Sequence, residues 1–154
     1  MKKLNPITIL ILISFFIGEN LFASLNTTKE ADTFWGHFRK IFLAKDLDKI
    51  STRTQFPLII KGTMDEDPTF KMSGTNFKKC FVHLFEKDTG LSSTPQNHLD
   101  YVKNQFEFSK KLNPLAASTF RVGDMVFEKI ENDFKLTTIY LETSEKEIIR
   151  DCKE

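Results

Sequence analysis

An excess of charge of either sign is the first thing this 154-residue chain lacks. It carries 22 lysines and arginines against 21 acids, for a formal net charge of +1. Arginine occurs only at 39, 53, 121 and 150, never in a cluster. A balanced chain without an arginine patch offers no electrostatic case for nucleic acid or an anionic membrane surface. Histidine is scarce too, at 37, 83 and 98. No two histidines share one-turn spacing, so no zinc cluster is expected. The one close pairing with a sulfur is Cys80 with His83. A catalytic pair of that kind needs an activated, accessible thiolate, whereas helical spacing turns His83 about 60° from Cys80. No serine-hydrolase elbow, phosphate loop, dinucleotide fingerprint or zinc-protease helix is present, and no cofactor is expected. Internal repeats and low-complexity linkers are absent as well.

Long apolar runs are missing except at the start. Lys2 and Lys3 precede an apolar run over 7–17, and Leu21-Phe22-Ala23-Ser24 offers a cleavage point after Ala23. This pattern reads as a secretory signal peptide over 1–23. The run falls short of the roughly 20 apolar residues of a membrane span. An uncleaved anchor is the alternative, because Leu21 stands where a small residue is preferred. Removal of 1–23 takes Lys2, Lys3 and Glu19 with it and leaves a neutral chain. The expectation is a periplasmic or secreted domain over 24–154 with no stable membrane span once the signal is gone. Cysteine is limited to Cys80 and Cys152. Export permits the single disulfide they could form. The alternative is that Cys80 is a buried small hydrophobe and Cys152 part of a loose tail.

What the chain has in quantity is phenylalanine, 16 in all, three of them in 1–23. So many rings in a small domain fill a core or line a cavity. Thr27-Thr28-Lys29-Glu30 matches a capping box for a helix to about Ala44. On that helix Ala31, Phe34, Trp35, Phe38, Ile41 and Phe42 share one face, with Thr33, Gly36 and Lys40 opposite. The polar segment 46–53 predicts a further helical turn or two. Residues 56–62 read as a strand. Pro57 places it at a sheet entrance or edge, and Gly62 ends it. Ser73 predicts the cap of a helix to about Glu86, with Phe77, Cys80, Phe81, Leu84 and Phe85 inward and Lys78, Lys79 and His83 outward. Residues 87–97 read as a loop, and 98–108 fit helix or strand. Asn113-Pro114 is another break. The runs 120–130 and 134–141 predict a hairpin turning at Glu131-Asn132-Asp133, with a bulge at Gly123-Asp124. In the second run Phe134, Leu136, Thr138 and Tyr140 are expected on one face. Residues 144–154 predict a short helical tail. Helices come early and strands late, which defines an α+β domain.

This order resembles the nuclear transport factor 2-like superfamily, the cone-shaped fold shared with ketosteroid isomerases and polyketide cyclases. The resemblance rests on the helix segment FWGHFRK (34–40), the strand FPLII (56–60), the second aromatic helix (77–85) and the NDFKL turn (132–136). It spans roughly residues 28–143. It implies a curved antiparallel sheet wrapped around the long first helix, a cone or cystatin-like roll with a pocket at its open end. It implies no activity, since one scaffold hosts many functions. An isomerase site needs an inward tyrosine and carboxylates in an apolar setting. The first helix offers Phe34, Trp35 and Phe38 instead.

Asp65, Glu66 and Asp67 form an acidic triplet. A calcium loop counted from Asp65 would need glutamate at its twelfth position, where Asn76 stands, and Pro68 occupies an early slot. The triplet therefore reads as a solvated turn into the next helix. The leading expectation is a non-enzymatic exported module that binds a small apolar ligand or a protein partner, with a homodimer through the sheet as its candidate assembly. Its candidate pocket lining is Trp35, Phe38, Phe56, Phe127 and Tyr140. An isomerase or hydro-lyase drawing on Asp124, His98 or Tyr101 is the second reading. A periplasmic inhibitor-like protein, which would need an exposed apolar patch on the sheet, is the third.

Overall fold

The computed structural model describes residues 29–62, 64, 66–67, 69–86, 97–104, 118–141, 147 and 152. The signal peptide, Thr27 as a cap, Asp65, Pro68, the loop up to 96, the break at 113–114 and all of the helical tail but residues 147 and 152 lie outside the described residues.

Helix α1 covers 29–43. Its aromatic stripe is the buried face: Ala31, Phe34, Trp35, Phe38 and Phe42 are all in the core. The helix stops where Lys45 adopts a left-handed φ of 54°. Lys45 N–H then donates to the Phe42 carbonyl and Asp46 N–H to the Ile41 carbonyl. These two bonds form a Schellman cap, with lysine where glycine is usual. Asp46 ends one helix and opens the next. Its carboxylate accepts from Lys49 N–H at 3.2 Å, at the start of α2 (Leu47–Thr52).

Strand β1 (Thr54–Lys61) pairs antiparallel with β2 (Thr69–Met72), a strand the sequence pattern concealed. The turn between them is closed by Asp67, whose carboxylate accepts from Met64 N–H at 2.7 Å. A Cβ on Gly62 would run into the Asp67 side chain, so a larger residue there would displace that carboxylate. The acidic turn thus leads into a strand, and only then into helix α3 (Gly74–Glu86). Ser73 Oγ accepts from Asn76 N–H at 3.4 Å, as the cap expected. Helix α4 (His98–Asn104) makes the first seven residues of the ambiguous stretch helical, and 105–108 lie outside the described residues.

Strands β3 (Thr119–Val122), β4 (Met125–Ile130) and β5 (Asp133–Tyr140) form a meander. Gly123-Asp124 is a hairpin turn between two strands, with Gly123 at φ 55°, and not a bulge within one. The bulge lies at Thr137. Leu136 faces Phe127 and Thr138 faces Val126, which leaves Thr137 without an opposite residue. One extra residue reverses the alternation of sides. Phe134 and Leu136 are therefore buried, while Thr138 and Tyr140 fall on the opposite face.

The sheet order is β2-β1-β5-β4-β3. The sheet is mixed, because β1 and β5 run parallel at its centre. Two helices separate these strands in the chain, which gives the crossover a parallel pair needs. Strand β1 is interior, one place in from the edge strand β2, with Pro57 near its entrance. Proline is accommodated where the β1–β5 register shifts between Thr54 and Ile59. The Phe56–Pro57 peptide is cis.

The buried side of the sheet carries Leu58, Ile60, Phe70, Met72, Phe120, Val122, Met125, Phe127, Leu136 and Ile139. Helix α1 lies on it through rings: Phe34 meets Phe120, Phe127 and Phe134 at 5.7–6.1 Å. Helix α3 joins through Phe77 against Phe56 and Phe85 against Phe42. His83, expected on the solvent side of α3, is buried. Helices α2 and α4 both pack on α3, so its buried face is wider than one sheet-facing stripe.

Candidate functional site

A cleft of about 490 Å³ opens between α1 and the β4–β5 turn. Lys29, Glu30, Thr33, Phe34 and His37 line it from the helix. Arg53, Asn132, Asp133 and Phe134 line it from the strand ends. Its floor is aromatic, since Phe34 and Phe134 pack with centroids 5.8 Å apart. Its rim is charged. Arg53 is ion-paired with Asp133 and also stands 5.8 Å over the Phe34 ring. Glu30 accepts a hydrogen bond from Lys129 Nζ on β4. The turn that carries Asn132 exists because Glu131 takes a left-handed φ of 59°. An apolar floor under a few convergent polar groups is the usual form of a small-molecule site.

The five aromatic candidates are not gathered in one place. Trp35, Phe38 and Phe127 are buried to 1% exposure or less and meet each other at 4.9–6.2 Å. Their contacts are ring on ring, as in a filled core. Phe56 is half-buried against Phe77 and the backbone of Gly74. Tyr140 stands on the far side of the sheet, with the Arg121 guanidinium at 4.5 Å and the Lys61 ammonium at 5.4 Å from its ring centre. Cys80 and Cys152 are joined as a disulfide, with Cα atoms 4.9 Å apart. Cys152 packs against the core from its end of that bond.

Asp124, His98 and Tyr101 do come together, at the β3–β4 turn. The Tyr101 ring lies so close to Gly123 that a Cβ there would meet it at 2.9 Å. Asp124 accepts from Arg121 Nη2 at 2.9 Å, and Arg121 Nε donates to the Gly123 carbonyl at 2.6 Å. His98 is buried edge-on against Phe85. Burial pushes its pKa down to about 4, against the opposite pull of the Asp124 carboxylate and of the Leu84 and Tyr140 carbonyls. Those carbonyls lie beside the ring, yet neither ring nitrogen makes a hydrogen bond of normal geometry. Among the described residues, no three metal-ligating side chains cluster, and no helix is long and apolar enough to cross a membrane.

The cleft was invisible to sequence reasoning. Thr33 read as the solvent side of the first helix, and Arg53 and Asp133 lie 80 positions apart. The one local signal was the NDF turn at 132–134. No family model, curated protein or solved structure matches this chain.

Proposed function

We propose that this protein is an exported binding module. It holds a small ligand in the cleft between α1 and the β4–β5 turn, with a flat apolar part on Phe34 and Phe134 and a polar part toward Arg53, Lys29 and Glu30. The carrying observation is the cleft itself, which joins an aromatic floor to a charged rim. This shifts the ligand from purely apolar to amphipathic, because the rings first expected to line a pocket pack on one another. A cone-type scaffold stays within the proposal, supported by α1 lying against the sheet. The Cys80–Cys152 bond supports export, since disulfides persist in oxidising compartments.

The enzymatic reading needs two free ionisable groups converging on open space. Asp124 and His98 are neighbours, but Asp124 is engaged by Arg121 and His98 is sealed in the core. The inhibitor-like reading needs an apolar patch on the sheet. The exposed large hydrophobics described are Met64 in the β1–β2 turn and Val82 on α3. The small ligand is therefore favoured over a protein partner or a second copy. The test is an NMR titration with fragments that couple one aromatic ring to one charged group. Shifts are expected at Thr33, His37, Arg53 and Asn132, and Thr33→Trp, which fills the cleft from an exposed position, should abolish them. Shifts confined to the Tyr140 face, or unchanged in the Thr33→Trp variant, would overturn the reading.

A further inference from the structure

His98 opens α4 at 2% exposure, with the Leu84 and Tyr140 carbonyls beside its ring but neither ring nitrogen in a hydrogen bond of normal geometry. A neutral imidazole has one donor and one acceptor to satisfy, and burying both unpaired weakens the docked state. The helix that carries it is seven residues long. Arg39 on α1 donates from Nε to the Val102 carbonyl at 3.0 Å and from Nη2 to the Lys103 carbonyl at 2.9 Å. Tyr101 rests on the Gly123 turn. Leu99 and Val102 are sunk in the core. These ties hold the middle and the end of α4, and the imidazole is the group seated at its beginning.

Among the described residues, few charges are available to compensate a cation there. On the β3–β4 turn the group is Asp124, whose carboxylate is already shared with Arg121. On α3 the imidazole meets the Phe85 ring at 5.8 Å, with His83 and Glu86 on the same turn and Glu86 engaged by Lys45. On β5 the Tyr140 carbonyl lies beside the imidazole, while the Tyr140 ring stands on the far side of the sheet under the Lys61 ammonium. On α4 itself Asp100 and Lys103 pair with each other in solvent, and Tyr101 is turned to Gly123.

We propose that α4 is an acid-released latch: protonation of His98 undocks residues 97–104 from α3 and the β3–β4 turn while the sheet stays folded. A solvated imidazole takes its proton near pH 6.5. The docked ring resists until about pH 4, because burial outweighs Asp124 and the two carbonyls. Between those values the undocked state binds a proton that the docked state does not. The opening equilibrium therefore rises about tenfold per pH unit as pH falls. Release bares Phe85 and the surface that Leu99 and Val102 cover, so an apolar face appears in acid and withdraws at neutral pH. The latch is independent of any ligand in the cleft.

The test is amide hydrogen exchange by NMR on the full disulfide-bonded chain, from about pH 7.5 to about pH 4.5, corrected for intrinsic rates. Protection of amides 99–104 is expected to fall about tenfold per unit below pH 6.5, while Leu58, Ile60 and Leu136 keep theirs. His98→Gln should abolish that slope, His83→Gln should leave it, and Asp124→Asn should keep its onset near pH 6.5 while extending it to lower pH. Parallel loss across α4 and the sheet, or a slope that survives in His98→Gln, overturns the proposal. Should His98→Gln not fold, the ring-proton titration of His98 in the unaltered chain decides, and an ordinary midpoint near 6.5 refutes the latch.

Discussion

Phe127 stands where four other rings meet: Phe34 at 5.7 Å, Trp35 at 6.0 Å, Phe38 at 4.9 Å and Phe120, nearly parallel to it, at 4.8 Å. Removing that ring opens a cavity that its neighbours cannot close, because each is itself wedged between others. Tyr140 was grouped with Phe127 by its aromatic character, yet it makes cation contacts on the half-buried far face. Phe127→Ala is expected to cost about 3–5 kcal/mol, whereas Tyr140→Ala should cost only about 1 kcal/mol. Urea denaturation of the two variants checks the contrast. The difference between these residues was not legible in the sequence. It depends on one bulge residue, Thr137, which turns Tyr140 away from the side that Leu136 occupies. Local alternation cannot reveal a bulge, because each half of β5 is regular on its own.

At the scale of elements, the helices were the legible part. The stripe of α1 and the Ser73 cap of α3 are local patterns that periodicity and capping residues report directly. The strands were less so. β2, four residues long, hid behind the acidic turn, and the first two strands of the meander read as one. The junction of α1 and α2 carries a local cost that can be measured. Lys45 holds the left-handed cap position that glycine adopts without penalty. Its salt bridge to Glu86 is half-exposed, so little is lost with the side chain. Lys45→Gly should therefore raise stability by about 0.5–1 kcal/mol, the reverse of glycine's usual effect in a helix. Chemical denaturation reads the sign, and a loss of stability would show that the lysine side chain outweighs its backbone strain.

The whole molecule depends on contacts between distant parts of the chain. The parallel β1–β5 pair joins the first hairpin to the meander, and the Cys80–Cys152 bond closes a separation of 72 residues. The cleft exists only because Arg53 and Asp133 meet across 80 residues. Spacing within the sequence carries no trace of such meetings. Composition did show that the interior would be aromatic. Whether those rings close a core or line a pocket is decided by packing alone. Trp35, the chain's one tryptophan, is 1% exposed at the middle of that packing. Acrylamide quenching of its fluorescence at neutral pH is thus the most direct measurement. A filled core predicts a blue-shifted emission, quenching far weaker than that of free tryptophan, and no response when a fragment occupies the cleft. Ready quenching that an apolar ligand suppresses would instead mean an open pocket around Trp35, and would contradict the account.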